Sequence, residues 1–356
     1  MYPLRIAIVG CGYIARKHIH ALLQLEGAAT VSALCDIDKN RMARFAAENC
    51  ETQFPGVRMV ESVEALLDDP NVELIAITTS SDSHSDLAVR ALKAGKHVLV
   101  EKPLALSIEE GRAARDLAAE TNRILAVSFQ ARYAPAIQAM KRAAELGRFG
   151  ALSHGAVSMR WNRNESYYRE SPWREDWSKG GGLFMNQCIH YIDLLRWLMG
   201  PVRSVYAQGE SIGQSIRIEN TGAVQLGFQS GAIGIIEAST CIYPRTLDTS
   251  ISLFGQRGSA VVGGPQLSER RVWQFESEQD AESSSRTESV QLSHVPLYED
   301  ILACIRTGGK PLTAVDLTLD THEIVLAVYQ SMLSGKAVEL PLEKFEMNKM
   351  NRRHSE

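Results

Sequence analysis

Between Val9 and Arg16 the chain reads Gly10-Cys11-Gly12-Tyr13-Ile14-Ala15. These six residues directly follow a strand-like run, Arg5–Val9, and open a helical pattern over Ile14–Leu25. In a GxGxxA turn the first glycine permits the sharp reversal and the second lets backbone approach a pyrophosphate. The small sixth residue lets helix and strand pack closely. N–H groups at the start of the helix then face the phosphates. Gly10, Gly12, Tyr13 and Ile14 are therefore candidate cofactor contacts.

Working outward strengthens the motif, which is weak alone. A second strand, Thr30–Cys35, ends on Asp36, where an acidic side chain takes the ribose hydroxyls of a dinucleotide. A carboxylate there repels a 2′-phosphate and favours NAD over NADP, although nearby Lys39 and Arg41 leave NADP open. Asp36 also reads as a helix cap, which is compatible. Helix Lys39–Asn49, strand Val57–Val60, short helix Val63–Leu67, strand Leu74–Thr79 and helix Ser83–Ala94 follow. Strand His97–Val100, helix Ile108–Thr121 and strand Ile124–Phe129 complete the pattern. Strands alternating with helices predict an α/β, doubly wound parallel sheet, a Rossmann domain over residues 1–128. The hydroxyl-rich loop Thr79-Ser80-Ser81-Asp82-Ser83-His84 falls at the ligand-binding edge of such a sheet. Thr79, Ser81 and His84 are candidate cofactor contacts, and Asp82 or Ser83 can equally cap the helix.

The second half changes character. Helix Ala136–Leu146 and strand Gly150–Trp161 precede an irregular stretch, 162–179, rich in aromatics and arginines. A helix over Leu183–Met199 ends at Gly200-Pro201. Strand-like runs at Ser204–Glu210, Ala223–Gln229, Ala232–Thr240, Thr249–Phe254 and Ser259–Gly263 predict a mainly antiparallel open sheet. Polar, Ser-rich Glu276–Arg286 reads as an exposed loop, and Leu297–Arg306 and Leu317–Leu333 as closing helices. The expected second α/β domain, for substrate and oligomerisation, spans 129–345, with a polar tail at 346–356.

Composition narrows the function. A net charge of −4 offers no basic footprint, so nucleic acid is not an expected partner. Apolar runs are only strand-length, so no membrane span is expected. The start, Met1 to Arg5, lacks a signal-peptide pattern. The six cysteines form no CxxC pair, so no metal site is expected and they read as reduced thiols of a cytoplasmic protein.

Two further segments carry chemistry. Glu101-Lys102-Pro103 follows a buried strand, although a lone lysine there is ordinarily a solvated loop residue. After Gly180-Gly181-Gly182, the spacing of Asn186, His190 and Asp193 (i, i+4, i+7) predicts one shared polar face on a largely apolar helix. Such a face is costly unless paired or wet. It reads as cleft-lining, with a satisfied core histidine and a loop-anchoring Asp193 as the plain alternatives.

Together these motifs resemble the Gfo/Idh/MocA family of sugar dehydrogenases, over nearly the whole chain. Glu219-Asn220-Thr221 to Thr240 and Pro311 to Pro341 are similar to its C-terminal sheet and closing helix. The resemblance implies a cis Lys102–Pro103 bond, Lys102 beside the nicotinamide, Glu101 at the cofactor, His190 as general base and its neighbour Asn186 as orienting partner. Many members have Asp at the Asn186 position. Asn there resembles the branch that oxidises the 3-hydroxyl of UDP-linked N-acetyl sugars. Trp173-Arg174 matches a cofactor-facing pair. The arginines and aromatics of 160–179 suit a diphosphate and a uracil, or a plain lid or subunit contact.

The expected function is an NAD-dependent oxidoreductase acting on a sugar or nucleotide-sugar hydroxyl, in a homodimer or homotetramer. Two readings compete: a glycoside hydrolase working by transient oxidation, and a non-enzymatic dinucleotide sensor.

Overall fold

Mostly apolar runs form the first sheet, with Arg5, Thr30, Ser32, Arg58 and His97 as the polar residues within them. A computed structural model, which describes residues 2–50, 52–170, 172–276 and 292–354, gives it six strands. They are β1 (Leu4–Val9), β2 (Ala29–Cys35), β3 (Arg58–Val60), β4 (Leu74–Ile77), β5 (His97–Val100) and β6 (Leu125–Val127). Every pairing is parallel and the order is β3-β2-β1-β4-β5-β6. Except at the β3 edge the strands are largely buried, as a sheet covered on both faces requires. Helices α1 (Tyr13–Leu23), α2 (Lys39–Asn49), α3 (Glu64–Leu67), α4 (His84–Lys93) and α5 (Ile108–Glu120) make the connections. The strand order reverses between β1 and β4, so right-handed crossovers place helices on both faces. Asp38 caps α2 by accepting from the N–H groups of Asn40 and Arg41, both at 3.0 Å.

Gly10 sits at that reversal with φ +95°. A Cβ there would stand 2.8 Å from the Thr78 carbonyl carbon. Glycine is required on both counts, conformation and space.

The second unit is built on helix α6 (Pro135–Glu145), strand β7 (Leu152–Arg160), short helix α7 (Glu165–Arg169) and helix α8 (Ile189–Met199). Strands β8 (Val202–Glu210), β9 (Thr221–Phe228), β10 (Ile233–Ser239), β11 (Asp248–Gly255), β12 (Gly258–Gly263) and β13 (Glu269–Phe275) follow. Helices α9 (Val295–Thr307) and α10 (Val315–Ser334) and strand β14 (Val338–Glu339) complete the order. The eight strands run β13-β12-β11-β7-β10-β9-β8-β14, antiparallel except for the parallel pair β7–β10. Alternating burial along β7, β8 and β10 leaves one face open, where Tyr206, Ile233 and Ile235 are exposed and Arg160 forks onto Glu237. On the other face α8 lies so close to β7 that a Cβ at Gly155 would meet the Met199 sulfur at 2.3 Å.

The division of the chain differs from a simple cut at 128/129. The first compact unit takes the described residues within Met1–Ala105, Glu109–Gln130 and Ser293–Leu319, and the second takes Leu106–Ile108, Ala131–Leu292 and Asp320–Glu356. Helix α9 belongs to the first because Tyr298 Oη meets His18 Nδ1 at 2.8 Å and Arg306 donates to the Ala28 carbonyl at 2.7 Å. Strands β13 and β14 were not expected: one is half-exposed without clean alternation, the other only two residues long. The expected polar tail instead folds into tight turns over Met347–His354, because Met347 and Met350 share a face and are buried. Most of the expected loop Glu276–Arg286 lies outside the described residues.

Buried His322 fastens α10 by donating from Nε2 to the Ser107 carbonyl at 3.1 Å. Burial pushes its imidazole from 6.5 down to about 4. The folded ring stays neutral where an unfolded one would protonate. Its cost is therefore absent above pH 6.5 and grows as pH falls from 6.5 to about 4. It reaches on the order of 3 kcal/mol. Urea midpoints should fall on acidification, and fall less in His322→Gln; an equal loss in both proteins would refute the assignment.

Candidate active site

Polar residues of the first unit gather where its strands end. Asp36, directly after β2, is buried and accepts four hydrogen bonds. They come from the N–H of Cys11 at 2.7 Å, the N–H of Asp38 at 2.8 Å, Arg41 Nε at 3.0 Å and Arg41 Nη2 at 2.6 Å. Burial alone would raise this carboxyl; Arg41 and the two backbone donors outweigh it and hold it below its usual value. Two oxygens offer about four acceptor positions, so all are filled. Of the donors, only Arg41 is a mobile side chain half in solvent, so it is the one that ribose hydroxyls can displace.

The start of α1 suits a dinucleotide. Gly12 is its N-cap and no side chain caps the helix. A Cβ on Gly12 would meet nothing within 4 Å. Uncapped N–H groups beside open space are what a pyrophosphate needs. Tyr13 is exposed and Ile14 half-buried at the same turn.

The Thr79–His84 loop is tightly tied. Thr79 Oγ1 lies 2.7 Å from Ser83 Oγ, and Ser81 is buried. His84 is buried, with Nδ1 2.7 Å from the Pro103 carbonyl and Nε2 3.2 Å from the Thr79 carbonyl. The Lys102–Pro103 bond is cis, as the resemblance implied, and Lys102 is half-buried. Glu101 is buried, with Oε1 3.0 Å from His18 Nε2 and 3.6 Å from His294 Nε2. Glu101 and His84, both expected at the cofactor, are also tied to neighbouring groups of the same unit.

In the second unit a π-helical turn, Phe184–Cys188, leads into α8. Gly182 is required before it, since a Cβ would stand 1.9 Å from Glu219 Oε2. Buried Glu219 accepts from Trp177 Nε1 at 3.1 Å, the Phe184 N–H at 3.2 Å and Tyr329 Oη at 2.7 Å. Tyr329 in turn accepts from the N–H groups of Gly182 at 3.1 Å and Met185 at 3.0 Å. These contacts satisfy the orphan donors that any helix start leaves.

From Gly181 to Leu195 only Asn186 and His190 are not fully buried. Asp193 does not share their face. It is sealed in the core, where Arg132 forks onto it at 2.8 and 2.6 Å and Thr321 Oγ1 donates at 2.8 Å. The i, i+7 expectation fails because the polar stripe crosses a π turn and because Arg132 offers a buried charge partner. Trp173 and Arg174 sit in a short 3₁₀ turn, and Arg174 stacks on Tyr167 at 4.0 Å while donating to its carbonyl at 2.6 Å. Of the other arginines in this stretch, Arg160 pairs with Glu237, Arg169 with Glu165, and Arg163 stacks on Trp161 and Tyr167.

The sequence reading missed His18, His294, Arg132, Glu219 and Tyr329. Only Glu219 carried a signal, as part of Glu219-Asn220-Thr221. The six cysteines form no disulfide; five are buried and Cys241 is half-buried. Among the described residues no helix is long and apolar enough to cross a membrane.

Comparison with known proteins follows the same division. Residues 4–129 match the model of an oxidoreductase family with an NAD-binding Rossmann fold, and residues 137–261 match the GFO/IDH/MocA C-terminal domain. The WlbA dehydrogenase of Bordetella pertussis, solved with NADH and UDP-GlcNAcA, is 32% identical, with a TM-score of 0.88 over 96% of this chain and 100% of that one. D-apiose dehydrogenase of Paraburkholderia graminis is 28% identical over 94% of this chain and 89% of its own length. The NAD(+)-dependent scyllo-inositol 2-dehydrogenase of Bacillus subtilis is 27% identical over 96% and 98%.

Removing one partner of the sealed pair should be costly. Asp193→Ala should lose about 3–5 kcal/mol in chemical denaturation, because it strands the Arg132 charge in the core. His190→Ala, at a half-exposed position, should lose less than about 1 kcal/mol. Similar losses in the two variants would contradict this separation of roles.

Proposed function

Because the chain belongs to the Gfo/Idh/MocA oxidoreductase family, we propose a specific substrate and specific roles for its polar residues. The protein is an NAD-dependent oxidoreductase acting on CH–OH groups of sugar-type substrates. The substrate we assign is a nucleotide sugar, a UDP-linked N-acetyl sugar oxidised at its 3-hydroxyl. The WlbA structures of Bordetella pertussis and Chromobactrium violaceum, each 32% identical and each holding NADH and UDP-GlcNAcA, support that class, as does asparagine at 186. The hydrolase and sensor readings gain no support from relatives that are named dehydrogenases and reductases.

One observation carries the catalytic assignment: in the stretch from Gly181 to Leu195, otherwise buried, Asn186 and His190 keep partial exposure four residues apart. His190 takes the hydroxyl proton, work suited to an imidazole nitrogen. The Lys102 ammonium stabilises negative charge developing on the oxygen. Asn186, which carries no charge, orients the substrate or His190. NAD, when bound, supplies the hydride acceptor. Gly10, Gly12, Tyr13, Ile14, Asp36, Thr79 and Ser81 hold it, with Asp36 favouring NAD over NADP.

Purified protein with NAD and a panel of UDP-N-acetyl sugars and free polyols should yield NADH with the UDP-sugars. Lys102→Ala and His190→Ala should lose roughly 10²–10⁴-fold in kcat while still binding NAD. Turnover confined to free polyols would remove the substrate assignment, and wild-type rates in both variants would remove the catalytic one.

The open sheet face is the surface we assign to self-association, since Tyr206, Ile233 and Ile235 stand exposed on it. Ile235→Lys should lower the mass seen in size-exclusion light scattering to that of one chain; a monomeric wild-type protein would refute this.

A further inference from the structure

Three buried histidines stand around the residues on either side of Lys102: His18 and His294 face the Glu101 carboxylate and His84 faces the Pro103 carbonyl. Before Lys102, Glu101 is fixed twice. Its N–H donates to the Ile77 carbonyl at 2.9 Å, and its carboxylate meets His18 at 3.0 Å and His294 at 3.6 Å. The His18 ring is itself held, with Nδ1 2.8 Å from Tyr298 Oη and its centroid 4.6 Å from that of His294. After Lys102, the Pro103 carbonyl lies 2.7 Å from His84 Nδ1, and the other nitrogen of that ring reaches the Thr79 carbonyl at 3.2 Å.

We propose that His18 and His294, acting through Glu101, and His84, acting through Pro103, are positioning residues that set where the Lys102 ammonium is held. The proposal rests on the role given to Lys102 above. A lysine has a long, freely rotating side chain, so its aim depends on how firmly its backbone is anchored. Here the residues on either side are anchored by side chains from α1, α4 and the start of α9, and His84 ties the same bracket to the loop carrying Thr79.

Around His18 the donors and acceptors match in pairs. Tyr298 donates to His18 Nδ1, and His18 donates from Nε2 to the Glu101 carboxylate. Burial lowers the His18 and His84 imidazoles, which keeps each ring neutral with one N–H to give; at His84 that N–H goes to the Pro103 carbonyl, the shorter contact at 2.7 Å, and the Thr79 carbonyl at 3.2 Å is only approached. Burial would raise the Glu101 carboxyl, but the hydrogen bond from His18, with His294 Nε2 close by at 3.6 Å, holds it well below its usual value, so it remains an acceptor. The imidazole and carboxylate atoms of His18, Glu101 and His294 lie within 4.8 Å of one another, a spacing that a metal ion could also use. The 3.0 Å His18–Glu101 contact is a complete hydrogen bond without one.

The test reads Lys102 directly. In the full chain with ¹³C-dimethylated lysines, the Lys102 resonance is assigned by its loss in Lys102→Arg. Glu101→Gln and His84→Gln should each shift or broaden that resonance and leave the other lysines unmoved. His294→Gln serves as a second variant should Glu101→Gln fail to fold. Kinetics with NAD and UDP-GlcNAcA give a second readout. Glu101→Gln should lower kcat about 10- to 100-fold, as a misplaced group does, yet cost nothing further on a Lys102→Ala background. An unmoved Lys102 resonance, a full additional loss in the double variant, or stoichiometric zinc in the purified protein would each overturn the proposal. Wild-type turnover by Lys102→Ala would instead remove the catalytic role of Lys102, while the resonance still decides whether the bracket positions it.

Discussion

Covering both faces of the six-stranded sheet restricts where polar side chains can stand. Along the strands almost nothing but apolar residues is tolerated, so polarity crowds into the first position beyond each strand. Gly10 follows β1, Asp36 follows β2, Thr78 follows β4, Glu101 follows β5 and Ser128 follows β6. The four side chains in that row are buried, and a buried polar group is costly unless paired. Asp36 is matched by Arg41 and two backbone donors, Glu101 by His18, and Thr78 Oγ1 by the carbonyls of Val9 and Gly10. The same ring of residues borders the place where a doubly wound sheet binds its ligand. Three of the four are thus paired, while Ser128 Oγ has no partner among the described residues, and the paired residues also stand where the chemistry of such a sheet is expected.

The second unit faces the same difficulty on a helix. A segment buried from Gly181 to Leu195, save for two residues, must satisfy its first N–H groups without water. Glu219 and Tyr329, from β9's approach and α10, meet them. Further along, Asp193 is neutralised by Arg132 rather than by solvent. An ion pair so enclosed adds little net stability over an apolar pair of equal size, but it penalises any packing that separates its members. The result is a helix fixed at both ends of its polar stripe, with Asn186 and His190 between the two anchors.

Local patterns were legible in the sequence. The GxGxxA turn, the strand–helix alternation and Asp36 depend on neighbours within one βαβ unit, and helix Lys39–Asn49 and strand His97–Val100 fall where the periodicity puts them. What could not be read depends on partners far along the chain. His18 meets Glu101 across 83 positions and Tyr298 across 280, and no spacing rule reaches so far. The return of α9 to the first unit is the same fact seen at the level of elements. Asp193 misled for a different reason. Helical spacing places it on a stripe with His190, but spacing cannot reveal that Arg132 stands opposite, nor that the stripe begins in a π turn. The bracing of Glu101 and His84 was hidden likewise: a motif marks which residues are special without separating contact from support.

Asparagine at 186 has a consequence for the proposed chemistry that follows from charge alone. Residues four apart on a helix are neighbours, so a carboxylate at 186 would act directly on His190. It would favour the protonated imidazole, making His190 a stronger base but leaving less of it free to accept a proton near neutral pH. Asp193 cannot substitute for that carboxylate, because Arg132 already balances it in the core. In the proposed chemistry, negative charge on the reacting oxygen is left for the Lys102 ammonium to stabilise. On this account the neutral residue at 186 and the firm anchoring of Lys102 belong together: the less the base is strengthened, the more the reaction depends on where the cation is held.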